Sequence, residues 1–158
     1  MNRKANTLML VLVAFVISCN NKTSQPGEFD SNNVFANVDY DKVVAYSYNG
    51  ERGNEIINNK GTLAGEIKSK VELNESQIIK FTNLLCNKST YDGAVASCFD
   101  PHLGIVFYKN NKPAAYVSIC LDCNNLVSSI KIPNSNDGFS RDGEKNIMSF
   151  EKELGFQH

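Results

Sequence analysis

The chain has 158 residues, 42% of them hydrophobic and 21% charged, and a formal net charge of −1. That composition suits one domain with its own core, and no internal repeat is visible. With no basic cluster anywhere in the chain, nucleic acid is not an expected partner.

At the start, Arg3 and Lys4 precede an unbroken apolar run over residues 8–17. The run has the length of a signal-peptide core and falls short of the ~20 apolar residues that a membrane-spanning helix needs. It ends in Val16-Ile17-Ser18-Cys19. A branched apolar residue three places before a cysteine, with a small residue between, resembles the lipobox of bacterial lipoproteins. The resemblance implies that residues 1–18 are a cleaved signal peptide, that diacylglycerol is joined to the Cys19 thiol, and that the new amine is acylated by a palmitate-type chain. At ~0.8 kcal/mol per buried methylene, several such chains make a permanent membrane anchor. The implied address is the cell envelope, at the outer membrane of a Gram-negative bacterium. Loss of Arg3 and Lys4 takes the net charge from −1 to about −3. Residues 19–33, rich in Asn, Ser, Thr, Pro and Gly, read as a lipidated flexible tether. A coil of that length holds a domain roughly 20 Å from the bilayer.

Residues 34–158 read as a single α+β domain. Strands are expected over 43–48 and 66–73; in the second, Ile67, Ser69, Val71 and Leu73 alternate with Glu66, Lys68, Lys70 and Glu72, so one face must be wet. Asn74 with Gln77 three residues on forms a capping box, and Leu73 with Ile78 a hydrophobic staple. The helix that follows should span 75–86 and bury Ile78, Phe81, Leu84 and Leu85. A hairpin is expected over 104–122, turning at Asn110-Asn111, which tolerate positive φ; Pro113 argues that this end is not fully paired. Another strand is expected over 126–132. Ser140 should cap a second helix whose Ile147, Phe150 and Leu154 form one stripe, stopped by Gly155 with Phe156 folded back. This order, with hairpin connections, predicts an antiparallel sheet of about five strands with two helices packed on one face.

Beyond Cys19, four cysteines remain, and an even number in an exported domain suggests disulfides among Cys86, Cys98, Cys120 and Cys123. Counting outward from Asn110-Asn111 puts Lys109 opposite Lys112 and Cys98 opposite Cys123. A bulge near Pro101 would shift that register, so Cys98 with Cys120 stays open. An alternative takes Cys98, His102, Cys120 and Cys123 as a four-ligand zinc set. Cys120-Leu121-Asp122-Cys123 also invites a thiol-redox reading, although a β-rich run follows it in place of the helix N-terminus that activates such a pair. No histidine follows Cys123, which argues against covalent haem attachment.

Hydrolytic chemistry has little to build on. His158 is the terminal residue, which leaves His102 as the imidazole base, and no Gly-x-Ser-x-Gly, His-Glu-x-x-His or Gly-rich phosphate loop is present. Asp100-Pro101-His102 reads as well as a turn before a strand as it does as a ligand-orienting unit. The alternating Tyr46 and Tyr48 suit a half-buried strand or a binding face. The blocks Cys98-Phe99-Asp100-Pro101-His102, Gly104-Ile105-Val106-Phe107-Tyr108 and Ser118-Ile119-Cys120-Leu121-Asp122-Cys123 resemble a group of uncharacterised bacterial envelope lipoproteins, a resemblance that implies no activity. The expectation is a membrane-anchored, non-enzymatic binding or structural module without a cofactor, with a protein or small-molecule partner in the envelope. The alternative is a metal or thiol-redox protein built on Cys98, His102, Cys120 and Cys123.

Overall fold

The computed structural model describes residues 27–156; the segment expected to be a signal peptide, Cys19, the first part of the expected tether and His158 lie outside the described residues. The described chain runs β1 (Lys42–Asn49), β2 (Glu66–Glu72), α1 (Glu75–Cys86), β3 (Tyr91–Gly93), β4 (Leu103–Lys109), β5 (Lys112–Cys120), β6 (Asn125–Ser128), β7 (Gly138–Phe139) and α2 (Arg141–Glu153). Five strands form one antiparallel sheet in the order β2-β1-β4-β5-β6, and β3 pairs with β7 in a separate ribbon. The fold is α+β, as the periodicity predicts. No helix among the described residues is long and apolar enough to cross a membrane.

Local signals place both helices. In α1 the Asn74 side chain accepts from the Gln77 N–H at 2.9 Å, and the Gln77 side chain accepts from the Asn74 N–H at 3.0 Å, a complete capping box. Ser140 caps α2 through the Gly143 N–H. At its far end Gly155 has φ +76°, and the N–H groups of Gly155 and Phe156 reach the carbonyls of Lys152 and Glu151, closing a Schellman motif. Ile147, Phe150 and Leu154 are buried together, and Phe150 stacks on Phe81 of α1 with ring centroids 4.9 Å apart.

The helices cover one face of the sheet, against Val43, Ala45, Leu103, Ile105, Phe107, Val117 and Ile119. The opposite face is also covered. Val44, Tyr46, Tyr48, Val106 and Tyr108 form a second core with Ile56 and Ile57 from the long β1–β2 connection. That connection docks through the Ile56 N–H, which donates to Ser118 Oγ at 2.8 Å, and through Tyr116, whose hydroxyl donates to Glu55 at 2.7 Å. Gly104 permits the approach: a Cβ there would sit 2.5 Å from Ile56 Cγ1. The tyrosines of β1 are thus packing residues, and the Tyr46 and Tyr108 hydroxyls share a hydrogen bond of 2.7 Å.

Four expectations need correction. The β1–β2 register slips between Ser47 and Tyr48, so Lys68 is an extra residue and β2 changes faces: Val71 packs on the helix side and Ile67 on the other. The tether expected to reach Asn33 ends earlier, because Asn33 Nδ2 donates to Thr82 Oγ1 (2.8 Å) and to Asn83, while Asn83 also bonds the backbone of Glu28 and Asp30. Polar residues that read as coil are here bonded along α1. The strand expected over 126–132 stops at Ser128, where Ser128 and Ser129 hydroxyls bond backbone at Tyr116 and Ile130. In α1, Ile79, Thr82 and Cys86 are buried, whereas Leu84 is only partly so.

Two stability measurements check this account. In denaturant unfolding, Asn74→Ala should cost about 1 kcal/mol through loss of the cap. Ile56→Ala should cost roughly 3 kcal/mol, as for a fully buried aliphatic side chain; a cost near zero would show that the β1–β2 connection is not docked.

Candidate functional site

Two groups of side chains with chemical potential meet at the end of the sheet where β5 gives way to the turn before β6. The first is the cysteine cluster. Cys98 is bonded to Cys123, with Cα atoms 5.5 Å apart. The hairpin begins as counted: Asn110 and Asn111 have φ of 50° and 61°, and Lys109 faces Lys112. Ala114 is then an extra residue, so Phe107 pairs with Ala115, and the ladder ends at Leu103–Ile119. The disulfide therefore does not cross a continuous ladder. It joins the loop before β4 to the turn after β5, two segments also held by the Ala96 N–H donating to the Cys123 carbonyl at 3.0 Å.

Cys86 and Cys120 are free and buried. Cys120 does not bond Cys98; its Sγ accepts the Cys123 N–H at 3.3 Å. Burial pushes the Cys86 thiol pKa up, partly opposed by the Val34 and Phe35 backbone, and the thiol lies 3.7 Å from Asn33 Oδ1. The four-ligand zinc arrangement is not assembled. Two of its thiols form the disulfide, and strand alternation points Cys120 away from the side of Ile119. Among the described residues no group of three or more His, Cys, Asp or Glu side chains is placed to hold a metal ion.

The second group lines a cleft of about 300 Å³ between the sheet end and α2. His102, whose backbone N–H donates to the Ile119 carbonyl at 3.0 Å, enters the cleft from just before β4. Its Nε2 lies 3.7 Å from Asp122 of the β5–β6 turn, an ion pair when the imidazole is protonated. From β1 comes Ser47, and from β2 comes Lys68, the bulge residue. From α2 come Glu144, Met148 and Glu151, at the i, i+4, i+7 spacing of one helical face. Ile119 and Leu121 supply apolar wall.

Ser47, His102 and Asp122 are the residue types of a hydrolytic triad, but no hydrogen bond joins the Ser47 hydroxyl to His102; Ser47 is held through its backbone, opposite Ser69 of β2 and Leu103 of β4. Of this cleft, sequence reasoning singled out only His102 and the Asp122 turn. Lys68 was hidden because a bulge is not written in a pattern of alternating residues, and Ser47 because its burial is tertiary. The helical spacing of Glu144, Met148 and Glu151 was legible beside the core stripe.

No family model matches this sequence, and neither a curated protein nor a solved structure matches it.

The disulfide has a measurable consequence. On the chain-entropy model, a loop with a sequence separation of 25 is worth about 3.5 kcal/mol. Cys98→Ser and Cys123→Ser should each lower unfolding free energy by an amount of that order. In the unreduced native protein Cys86 and Cys120 should resist alkylation and react once denatured; prompt labelling of Cys98 or Cys123 without reductant would refute the bond.

Proposed function

We propose that this protein is a lipid-anchored module of the bacterial cell envelope, tethered through Cys19 at the outer membrane, and that its domain binds a ligand or partner rather than catalysing a reaction. The observation that carries the binding reading is the cleft beneath α2: a concave site of modest size with apolar walls and a few convergent polar groups is the usual form of a small-molecule site. A disulfide between Cys98 and Cys123 supports an oxidising compartment, in keeping with export.

A second reading is thiol-disulfide exchange, favoured by one contact: the Cys120 sulfur lies at hydrogen-bonding distance from the backbone of the disulfide-bonded Cys123. Attack of the Cys120 thiolate on Cys123 would form a Cys120–Cys123 bond and release Cys98 as thiolate, with no external oxidant. Full burial of Cys120 weighs against rapid exchange with an external partner.

Mass spectrometry of the membrane-extracted protein tests the anchor. The expected amino-terminal residue is Cys19 carrying diacylglycerol and an acyl chain, and Cys19→Ala should leave the chain unprocessed or free of the membrane. An intact Met1 on mature protein, or a bare Cys19, overturns the anchor. Peptide mapping without reductant separates the two readings of the domain: Cys98–Cys123 alone fits a binding module, whereas a population linked through Cys120–Cys123 fits exchange.

A further inference from the structure

Between Gly93 at the end of β3 and Pro101 before β4, residues 94–98 form an exposed segment without regular structure. Both sides of it are anchored. Gly93 pairs with Gly138 of β7, while the Pro101 carbonyl accepts from the Gly50 N–H and the His102 N–H donates to the Ile119 carbonyl, each at 3.0 Å. Between those anchors, two hydrogen bonds among the described residues tie the segment to the turn after β5: the Ala96 N–H donates to the Cys123 carbonyl at 3.0 Å, and Asn124 Nδ2 donates to the Ala94 carbonyl at 2.9 Å. The Cys98–Cys123 disulfide is the third tie, and it reaches the same turn. The segment is a strap fastened at one place.

The disulfide has an accessible side and a sealed side. Cys98 is exposed, whereas Cys123 is only 2% exposed and Cys120, whose sulfur accepts the Cys123 N–H, is fully buried. A thiolate arriving from solvent therefore meets the Cys98 sulfur first. A second observation lies at the same turn. Asn124 Oδ1 is buried and has no hydrogen-bonding partner among the described residues, although the amide nitrogen of that side chain serves the carbonyls of both Ala94 and Phe139. An unpaired buried acceptor destabilises the closed arrangement. Once the disulfide is open, two hydrogen bonds remain against that penalty and against the conformational entropy of five exposed residues. The balance favours release.

We propose that the Cys98–Cys123 bond is a redox latch: an external dithiol reduces it through Cys98, and the strap at 94–98 then swings off the turn after β5 and bares Cys123. The latch needs neither a ligand in the cleft nor attack by Cys120, and so goes beyond the binding and exchange readings. In the first step a thiolate of the reductant attacks Cys98 Sγ; its sulfur bonds to Cys98, and Cys123 leaves as a thiolate that takes up a proton. The reductant's second thiolate then attacks the reductant's own sulfur in that mixed disulfide, and Cys98 leaves and is protonated in turn. Two electrons pass, the protein gaining two thiols and the dithiol becoming a disulfide. Release is confined to the strap, because Pro101 and His102 keep their bonds and the Asn124 N–H still donates to the Leu121 carbonyl at 2.9 Å. Water then reaches Asn124 Oδ1 from the side that Ala94 has left.

Dithiothreitol is the probe, applied to the full chain in nonionic detergent without denaturant, with amide hydrogen exchange followed by mass spectrometry and thiols mapped by alkylation. Reduction should speed exchange over 94–98 by about tenfold or more, as the Ala96 N–H loses its partner, while β4 and β5 keep their protection. Cys98 and Cys123 should then alkylate, with Cys86 and Cys120 still protected. A monothiol, 2-mercaptoethanol, quenched early by alkylation, should leave its adduct on Cys98 and the alkyl group on Cys123. Cys98→Ser should show the fast strap with no reductant, and Cys120→Ser should respond to dithiothreitol as the parent does. An adduct on Cys123 in place of Cys98, resistance of the bond to dithiothreitol in the folded protein, or unchanged exchange over 94–98 after full reduction each overturns the latch. So does release that requires Cys120, which would leave the exchange reading standing in its place. Loss of protection through β4 and β5 together with the strap overturns it as well, since the bond would then be holding the whole fold.

Discussion

Burial of β1 and β4 on both faces is the constraint from which the architecture follows. Each strand sends apolar side chains to either side, Val43 and Ala45 against Val44 and Tyr46, Ile105 and Phe107 against Val106 and Tyr108. At about 25 cal/mol per Å² of apolar surface, leaving either face wet would forfeit about 1.5 to 3 kcal/mol for every large side chain exposed. Two coverings are therefore needed, and they differ in kind. Helices satisfy their own backbone and can cover a face by side chains alone. An irregular connection cannot, because its buried N–H and C=O groups need partners. Hence the buried Ser118 hydroxyl beneath the Ile56 N–H, the Ala64 N–H donating to the Ile56 carbonyl at 2.9 Å, and the Tyr116–Glu55 contact: polar pairings that let a loop do the work of a layer.

What could be read from the sequence is what is decided within a few residues. The Asn74–Gln77 box, the Ser140 cap, the Gly155 stop and the Asn110-Asn111 turn are each local in their physics, and each stands where its residues indicate. The face assignment of β2 was not legible. Its alternation of charge and hydrocarbon holds from Ile67 to Leu73, but alternation is a statement about an unbroken pleat, and Lys68 interrupts it for a reason that lies in the pairing with Ser47 and Tyr48. The same limit governs the cysteines. Counting from the turn arrives at Cys98 and Cys123, yet the extra residue at Ala114 invalidates the count, and the two sulfurs meet because loop and turn converge beyond the last ladder pair. A right partner was reached by a path the backbone does not take. The ribbon of β3 and β7 is too short for periodicity to register; its stacked Tyr91 and Phe139, 5.8 Å apart, mark it only in three dimensions.

The disulfide and the cleft, described so far as separate features, share a wall. The ladder between β4 and β5 ends at Leu103 and Ile119, and the residues that turn toward the cleft next, His102 and Asp122, stand at the limit of regular hydrogen bonding. Cys123 follows Asp122 directly and Cys98 precedes His102 by four residues, so the covalent link clamps the two segments where the sheet stops holding them. The facing wall is α2, which is rigid through its own hydrogen bonds and its buried stripe. Ordering a loop that no ladder holds costs conformational entropy, and a covalent link removes much of that freedom in advance. A crosslink at this position contributes stability to the fold as any loop closure does, but its particular placement also fixes the backbone that carries His102 and Asp122 at the edge of the cleft. That makes restraint of one wall of the cleft the structural role that distinguishes this bond from one placed elsewhere in the domain.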